Sequence, residues 1–413
     1  MNKCISFYKS LGNTAKQVSD PAKWDKAVKL FEEKKFKESF YATLGYIDEN
    51  LINKFSNPEK TVFNIPQGSV VVTITIQGDT IFLSTPFVKI PQTKFMPIFR
   101  RCTELNFAVM TLPQIIIKDD FLVFEYKMPL DTCEPYKLYS ALRDMALNAD
   151  KYDDEFIEKY GAERIIEPLS TPLSADKMEA CLTTIKAIAK EALTNSAYFE
   201  EKRNLTNACD AIFIGMKQID YYCEPSGMFY KKLQDCVDNM FDRNKDILAK
   251  MKPGKQFLAS IEKMTAEDLS DAVFYNYCLI SIKRNMSRNG LSNWIEDLYD
   301  SCAEYYKKDN FLSCGYLSLY TFYTILADFN LDEHTQKAIE YVLKTNAGKE
   351  FNDESCQVFL DLMDFFYDSD EEIYPNLVEE NEPTSTSDAE AMMKNVMEQY
   401  QGVLGGFMKM FGK

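Results

Sequence analysis

Few side chains in this sequence have the type and spacing that enzyme chemistry requires. His334 is the only histidine, so a Cys-His or Ser-His-Asp nucleophilic site would have to include it. It follows Leu331-Asp332-Glu333, a polar helix start, which favours a solvated or capping histidine over a catalytic base. The sequence contains no Gly-x-Ser-x-Gly elbow and no glycine-rich phosphate loop. We therefore predict no catalytic residues.

The metal-binding patterns are equally weak. The 11 cysteines are scattered singly, with no Cys-x-x-Cys pair, and most lie among apolar residues of helical patterns. Asp368, Asp370 and Glu372 fit a calcium-loop template, but its glycine position is Ile373. A chance match in an acidic segment is the better interpretation. We expect no metal, no cofactor and reduced, buried thiols.

The charge balance restricts the choice of partner. Lys and Arg number 47 against 63 Asp and Glu, a formal charge of −16, with no basic cluster. Such a chain repels the phosphates of nucleic acids and an anionic membrane surface. No apolar run is long enough to span a membrane, and no apolar leader follows Met1. We expect a cytoplasmic protein whose partner is another protein or a second copy of itself.

The only strand periodicity lies between about Val62 and Ile165. Alternating β-branched residues from Val70 to Ile76 predict a strand, and Gly78-Asp79 closes a hairpin. A helix with Phe95, Ile98, Phe99, Cys102 and Leu105 as its apolar stripe follows, with Arg100 and Arg101 facing solvent. Strands 115–117 and 121–128 and a long helix with its stripe from Leu138 to Phe156 complete the module.

This order of elements resembles the small α/β fold of type III secretion chaperones and of the YbjN family of bacterial regulators. The residues most similar to these families are the helix from Phe95 to Phe107 and the segment from Ala149 to Glu155. The resemblance covers roughly 100 residues. It implies a protein-binding role without catalytic residues.

Two helical hairpins resemble those of tetratricopeptide repeats. In the first, between Pro21 and Phe55, a polar turn precedes Phe36 and the small residue Ser39. The same spacing places Phe311 and Cys314 in a second hairpin. Ordinary hairpins with a common turn remain the alternative, since two matches do not make a repeat array.

The complete prediction is an α+β chain in which a helical hairpin precedes a small antiparallel-sheet, chaperone-like module and a larger all-α domain follows it. Ser174 is predicted to cap the first helix of that domain, while Pro225-Ser226-Gly227 and Lys252-Pro253-Gly254 interrupt it. The predicted segments are a hairpin at 1–60, the module at 61–166, the all-α domain at 174–367, an acidic flexible linker at 368–386 and an amphipathic helix at 387–413.

The C-terminal helix is the predicted partner-binding element. Ser387 begins a capping box, and apolar residues follow at helical spacing. The predicted binding residues are Met393, Val396, Met397, Tyr400, Val403, Leu404, Phe407, Met408 and Phe411.

Two functional hypotheses remain open, with a less favoured third. The first is a non-enzymatic protein-binding module, chaperone-like or a regulatory adaptor, that uses apolar surfaces and this tethered helix. The second is an enzyme with an unrecognised carboxylate or tyrosine site in an interdomain cleft. The third, attachment of the last helix to a membrane surface, is disfavoured because the helix has only a few lysines.

Overall fold

The computed structural model describes residues 3–15, 21–93, 95–165, 171–286, 288–368 and 374, and the fold is α+β. The described residues form two compact units. The sheet unit contains those of Thr14–Pro172 and Phe274–Ile282, and the helical unit contains those of Met1–Asn13, Leu173–Val273 and Lys283–Thr384. The predicted linker at 368–386, apart from Asp368 and Tyr374, and the predicted helix at 387–413 lie outside the described residues.

The strands of the sheet unit are β1 (Thr14–Ala15), β2 (Val62–Gln67), β3 (Val70–Gln77), β4 (Thr80–Lys89), β5 (Gln114–Lys118), β6 (Phe121–Pro129), β7 (Glu163–Arg164), β8 (Thr171–Pro172) and β9 (Phe274–Tyr277). Its main sheet is antiparallel, with strand order β2-β3-β4-β6-β5 and the short β7 paired with β4. The predicted hairpin is confirmed, because Ile76 pairs with Ile81 across the turn at Gly78.

Helices cover this sheet and complete its core. Pro135 begins the longest of them and Gly161 ends it with φ 70°, the left-handed conformation that glycine tolerates. Its predicted apolar stripe from Leu138 to Phe156 is buried in the shared core. The helices of this unit are α1 (Pro21–Glu32), α2 (Phe36–Ile47), α3 (Leu51–Phe55), α4 (Phe95–Ala108) and α5 (Pro135–Tyr160), with a 3₁₀ turn at Leu130–Thr132.

The expectation that 174–367 is entirely helical is corrected at β9. This strand pairs in parallel with β1 and antiparallel with β8. The hydroxyl of Tyr277 donates to Asp48 Oδ2 (2.9 Å), and the backbone N–H of Ile280 donates to Gln67 Oε1 (2.9 Å). These long-range partners favour an extended segment that its local aromatic pattern does not reveal.

The helical unit consists mainly of antiparallel helices. Ser174 caps its first helix as predicted, because its hydroxyl accepts a hydrogen bond from the N–H of Lys177. Pro225-Ser226 separates two helices, also as predicted. The elements are α6 (Ala175–Glu201), α7 (Leu205–Cys223), α8 (Gly227–Met240), α9 (Ile247–Ile261), α10 (Ala266–Ser270), β10 (Arg284–Asn285), α11 (Arg288–Lys307), α12 (Phe311–Asp328), β11 (Phe329–Asn330), α13 (Glu333–Asn346) and α14 (Asp353–Asp368).

The predicted interruption at Lys252-Pro253-Gly254 is wrong, because all three residues lie inside α9. Pro253 lacks an N–H, but the side-chain amide of Asn239 donates to the carbonyls of Ala249 (3.4 Å) and Lys250 (2.9 Å). Gly254 is required by close packing, since a Cβ there would lie 2.7 Å from Ile212 Cγ2. Tertiary partners therefore outweigh the helix-breaking tendencies of both residues.

The same turn joins three helical hairpins in the described chain. Its central residue has a left-handed φ and donates its N–H to the carbonyl three residues earlier, while the next N–H donates to the carbonyl five residues earlier, as in a Schellman motif. In every copy a small, fully buried residue lies seven positions before the central residue and another lies five positions after it. The central residues are Lys34, Arg203 and Asp309, and the small buried pairs are Ala27 with Ser39, Ser196 with Ala208, and Cys302 with Cys314.

Candidate protein-binding surface

Exposed apolar side chains are concentrated around α4 and β5 of the sheet unit. Phe107 is 88% exposed and Ile117 is 56% exposed, although soluble proteins usually bury such residues. The other large exposed apolar residues of this region are Phe95 and Met96, at the start of α4, and Val109, just after its end. We define the α4–β5 surface as Phe95, Met96, Phe107, Val109 and Ile117.

The orientation of α4 follows from its apolar spacing. Ile98, Cys102 and Leu105 are buried against the unit's core. Met96 and Phe107 lie on the opposite side of the helix at positions i and i+11, together with the exposed Arg100. From Phe95 to Phe107 the helix extends about 18 Å, at 1.5 Å per residue. The surface is therefore long enough to contact several turns of a second helix.

Arg101 joins α4 to α5. Its guanidinium contacts Glu155 Oε2 (3.2 Å) and Glu104 Oε2 (3.0 Å), and it lies 5.4 Å from the centre of the Tyr152 ring. The prediction that Arg101 faces solvent is therefore wrong, since its guanidinium contacts Glu155 and Tyr152 of α5 and only 25% of its side chain is exposed. The contact with buried Glu155 restrains the rotation of α4 and so the direction in which Phe107 points.

Asn106 joins the C-terminal end of α4 to the outer edge of β5. Its Nδ2 donates to the carbonyl of Ile115 (3.0 Å) and its Oδ1 accepts from the N–H of the same residue (2.8 Å). Backbone groups of alternate residues in an antiparallel edge strand point away from the sheet. Ile117, two residues further, therefore presents its N–H and C=O outward, where neither bonds to another described residue. The amide of Asn106 protects one part of this edge, and the part at Ile117 is open.

Charged and polar groups border this surface. Arg100 lies between Met96 and Phe107, and Lys118 forms an ion pair with Glu125 beside Ile117. A rim of this kind around an apolar group is typical of surfaces that bind other proteins. The arrangement can hold an apolar segment but contains no nucleophile or general base.

The predicted binding residues from Met393 to Phe411 lie outside the described residues, so their contacts remain a prediction. The sequence prediction did not include the α4–β5 surface, and it placed Phe95 within the buried stripe, whereas Phe95 is 44% exposed. Phe107 was the available signal, because it falls on the polar side of the stripe formed by Ile98, Cys102 and Leu105.

Carboxylates and lysines also meet inside the helical unit, which bears on the enzyme hypothesis. Nζ of the buried Lys217 lies 2.5 Å from Asp328 Oδ1, and Nζ of the buried Lys283 lies 3.0 Å from Glu224 Oε1. Burial raises the pKa of Asp220 to about 6, against the opposing effect of the two lysines. These charges satisfy one another, as buried charges in a structural network must.

A cavity in the helical unit is too small for a metabolite. It lies between α6, α7 and α12 and includes the side chains of Glu191, Gln218 and Tyr316. The space in which the centre of a water molecule could move is about 10 Å³, so the cavity holds at most one water. The hydroxyl of Tyr316 is buried there without a hydrogen-bond partner among the described residues. This cavity does not provide a substrate site.

His334 lies at the start of α13, as the sequence predicts, and its Nε2 accepts a hydrogen bond from the N–H of Tyr374 (3.1 Å). None of the 11 cysteines, all of which lie in the described ranges, forms a disulfide, and nine of them are buried. Burial raises the pKa of the Cys102 and Cys133 thiols to about 12, which makes them poor nucleophiles. Within the described ranges, no three His, Cys, Asp or Glu side chains are grouped so as to hold a metal ion.

The fold defines the class of this chain as α+β, with an antiparallel sheet unit and a helical unit. No protein-family model and no curated protein matches it. None of the helices in the described part of the chain has the length and apolar character needed to cross a bilayer.

Proposed function

We propose that this chain is a non-enzymatic, cytoplasmic protein-binding module, chaperone-like or a regulatory adaptor. It binds an apolar helical segment of a partner protein on the α4–β5 surface. The observation that carries the proposal is the occurrence of five exposed apolar residues on α4, at its C-terminal end and on β5, two elements that Arg101 and Asn106 hold in place. A rigid apolar surface loses little conformational freedom on binding.

The size of the surface predicts the strength of binding. Complete burial of one large apolar side chain contributes about 1.5–3 kcal/mol, and association costs several kcal/mol of lost freedom. Five partly exposed side chains therefore support a dissociation constant of roughly micromolar order. This is the range of transient adaptors, and binding should depend mostly on Phe107, the most exposed of the five.

The chain's charge and thiols support the choice of partner and compartment. A net charge of −16 disfavours nucleic acids and anionic membrane surfaces. Eleven cysteines that form no disulfide in the described residues suit a reducing compartment. A protein partner in the cytoplasm is consistent with both.

Photocrosslinking in the native cell tests the proposal. A photoreactive residue is placed at Phe107, at Ile117 or at Leu248, a control in the helical unit whose exposure of 54% matches the 56% of Ile117. We expect one protein to crosslink at positions 107 and 117 but not at 248. With that partner purified, F107D should weaken binding roughly thirtyfold, a loss of about 2 kcal/mol, while L248D leaves binding unchanged.

Equal crosslinking at all three positions, or purified partner binding that is insensitive to F107D, would contradict the proposal. Because Phe107 is 88% exposed, the aspartate replaces few internal contacts and the variant should remain folded. The enzyme alternative predicts a different result, a small metabolite that co-purifies with the chain and is turned over.

A further inference from the structure

We infer that residues 387–411 of this same chain bind the α4–β5 surface and so compete with the partner protein. The inference rests on the proposed function, since it assigns a regulator to the same surface. The chain itself supplies the occupant, an apolar segment joined to the folded units through residues 375–386.

The point from which the tether starts, Tyr374, is held in the helical unit. Tyr374 is 3% exposed, its N–H donates to His334 Nε2 (3.1 Å), and its ring lies 5.4 Å from that of Phe365. Residues 375–386 can extend over about 40 Å at 3.3–3.6 Å per residue. A tether of this length holds the following segment at an effective concentration of about millimolar order.

The sequence of the segment requires a surface. Gly402, Gly405 and Gly406 each oppose an isolated helix by about 1 kcal/mol relative to alanine. Its apolar positions include Met397 and Met408, whose unbranched side chains adapt to an irregular surface. An amphipathic helix of this kind gains stability when its apolar face is covered.

The α4–β5 surface suits this occupant better than the other exposed apolar residues do. Phe241 directly follows α8 and Leu248 lies in the first turn of α9, so these two residues offer only a short apolar stretch. Tyr367 is bordered by acidic groups, and its hydroxyl donates to Glu296 Oε1 (3.4 Å). Five apolar side chains spread over about 18 Å of α4 and the adjoining β5 offer the longer apolar contact.

Amide hydrogen exchange on the full-length chain tests the inference from both sides. We expect V403D/F407D to speed amide exchange in residues 95–118 at least tenfold. In the unchanged chain, an effective concentration of about millimolar order exceeds a dissociation constant of roughly micromolar order, so the surface is occupied most of the time. F107D/I117D should reciprocally speed exchange in residues 390–411. L248D is the matched control and should leave both regions unchanged.

Unchanged exchange at 95–118 in V403D/F407D overturns the inference. Protection of residues 95–118 that rises with protein concentration between about 1 and 100 µM would also overturn it, because the occupant would then be a second copy of the chain. Protection that requires added anionic vesicles would overturn it as well, because the occupant would then be a membrane surface. A partner that crosslinks at Phe107 while the tail variant changes nothing leaves the proposed function standing and removes the regulator. Reciprocal protection without any crosslinked partner supports the contact between the segment and the α4–β5 surface and removes the proposed function.

Discussion

Asn239 and Pro253 form a coupled pair in the helical unit, and their coupling can be measured. Pro253 cannot donate to the carbonyl of Ala249, so this carbonyl depends on the amide of Asn239, which also donates to Lys250. One such hydrogen bond contributes about 1 kcal/mol, and a carbonyl left without a partner costs about 1–3 kcal/mol. We expect N239A to lower the free energy of opening α9 by about 2 kcal/mol.

A double-mutant cycle separates this explanation from a general packing loss. In P253A the restored N–H can donate to the carbonyl of Ala249, so N239A should cost about 1 kcal/mol less in that background. Native-state hydrogen exchange of the α9 amides measures both costs. N244A, at an exposed position of the same connection, should change the opening free energy by less than about 0.5 kcal/mol. An equal cost of N239A in both backgrounds would refute the reasoning.

Three further predictions concern single positions. Burial raises the pKa of Asp210 to about 7, above its unfolded value near 3.9, so the stability that this carboxyl contributes is lost as pH rises between these values. D210N should therefore stabilise the helical unit more at pH 8 than at pH 5.5 in urea unfolding, by at most about 2 kcal/mol. K34G places glycine at a φ of 60° and should raise the unfolding free energy of the sheet unit by about 0.5–1 kcal/mol, seen as a higher melting temperature; a lower one would contradict it. G68A places a Cβ 2.1 Å from Asp150 Oδ1 and should lower the free energy of unfolding in urea by more than about 2 kcal/mol. The control G78A has a similar φ of 57° but open space around the added Cβ, so it should lower this free energy by only about 1 kcal/mol. Equal losses in the two variants would rule out the steric explanation.

The core of the sheet unit was predictable because its determinants are local. Alternation from Val70 to Ile76 and the turn at Gly78 determine a hairpin without reference to the rest of the chain. Similarly, the spacing from Leu138 to Phe156 identifies the buried side of α5. In both cases one short segment contains the periodicity and the residues that end it.

Long-range contacts account for what the sequence did not reveal. The N–H of Gly68 donates to the carbonyl of Tyr277 (3.2 Å), and this partner lies far along the chain from the strand that it supports. Likewise, no local pattern shows that Arg101 meets Glu155 or that Asn106 covers the edge at Ile115. The contacts of Arg101 and Asn106 position the α4–β5 surface, so this surface could not be predicted from periodicity alone.

The three related turns show which part of a helical hairpin pattern has a physical cause. The sequence comparison used an aromatic residue after the turn, which is present as Phe36 and Phe311, and it therefore missed the copy with Leu205. That copy nevertheless has the left-handed Arg203 and the hydrogen bond from Asn204 to Phe199. Common to all copies is one small, fully buried residue on each helix, and a larger side chain at either position would have to displace packed neighbours. The small buried pair is thus the more general feature, while the aromatic residue after the turn contacts a ring of the preceding helix in only two of the three hairpins, Phe36 with Phe31 and Phe311 with Tyr306.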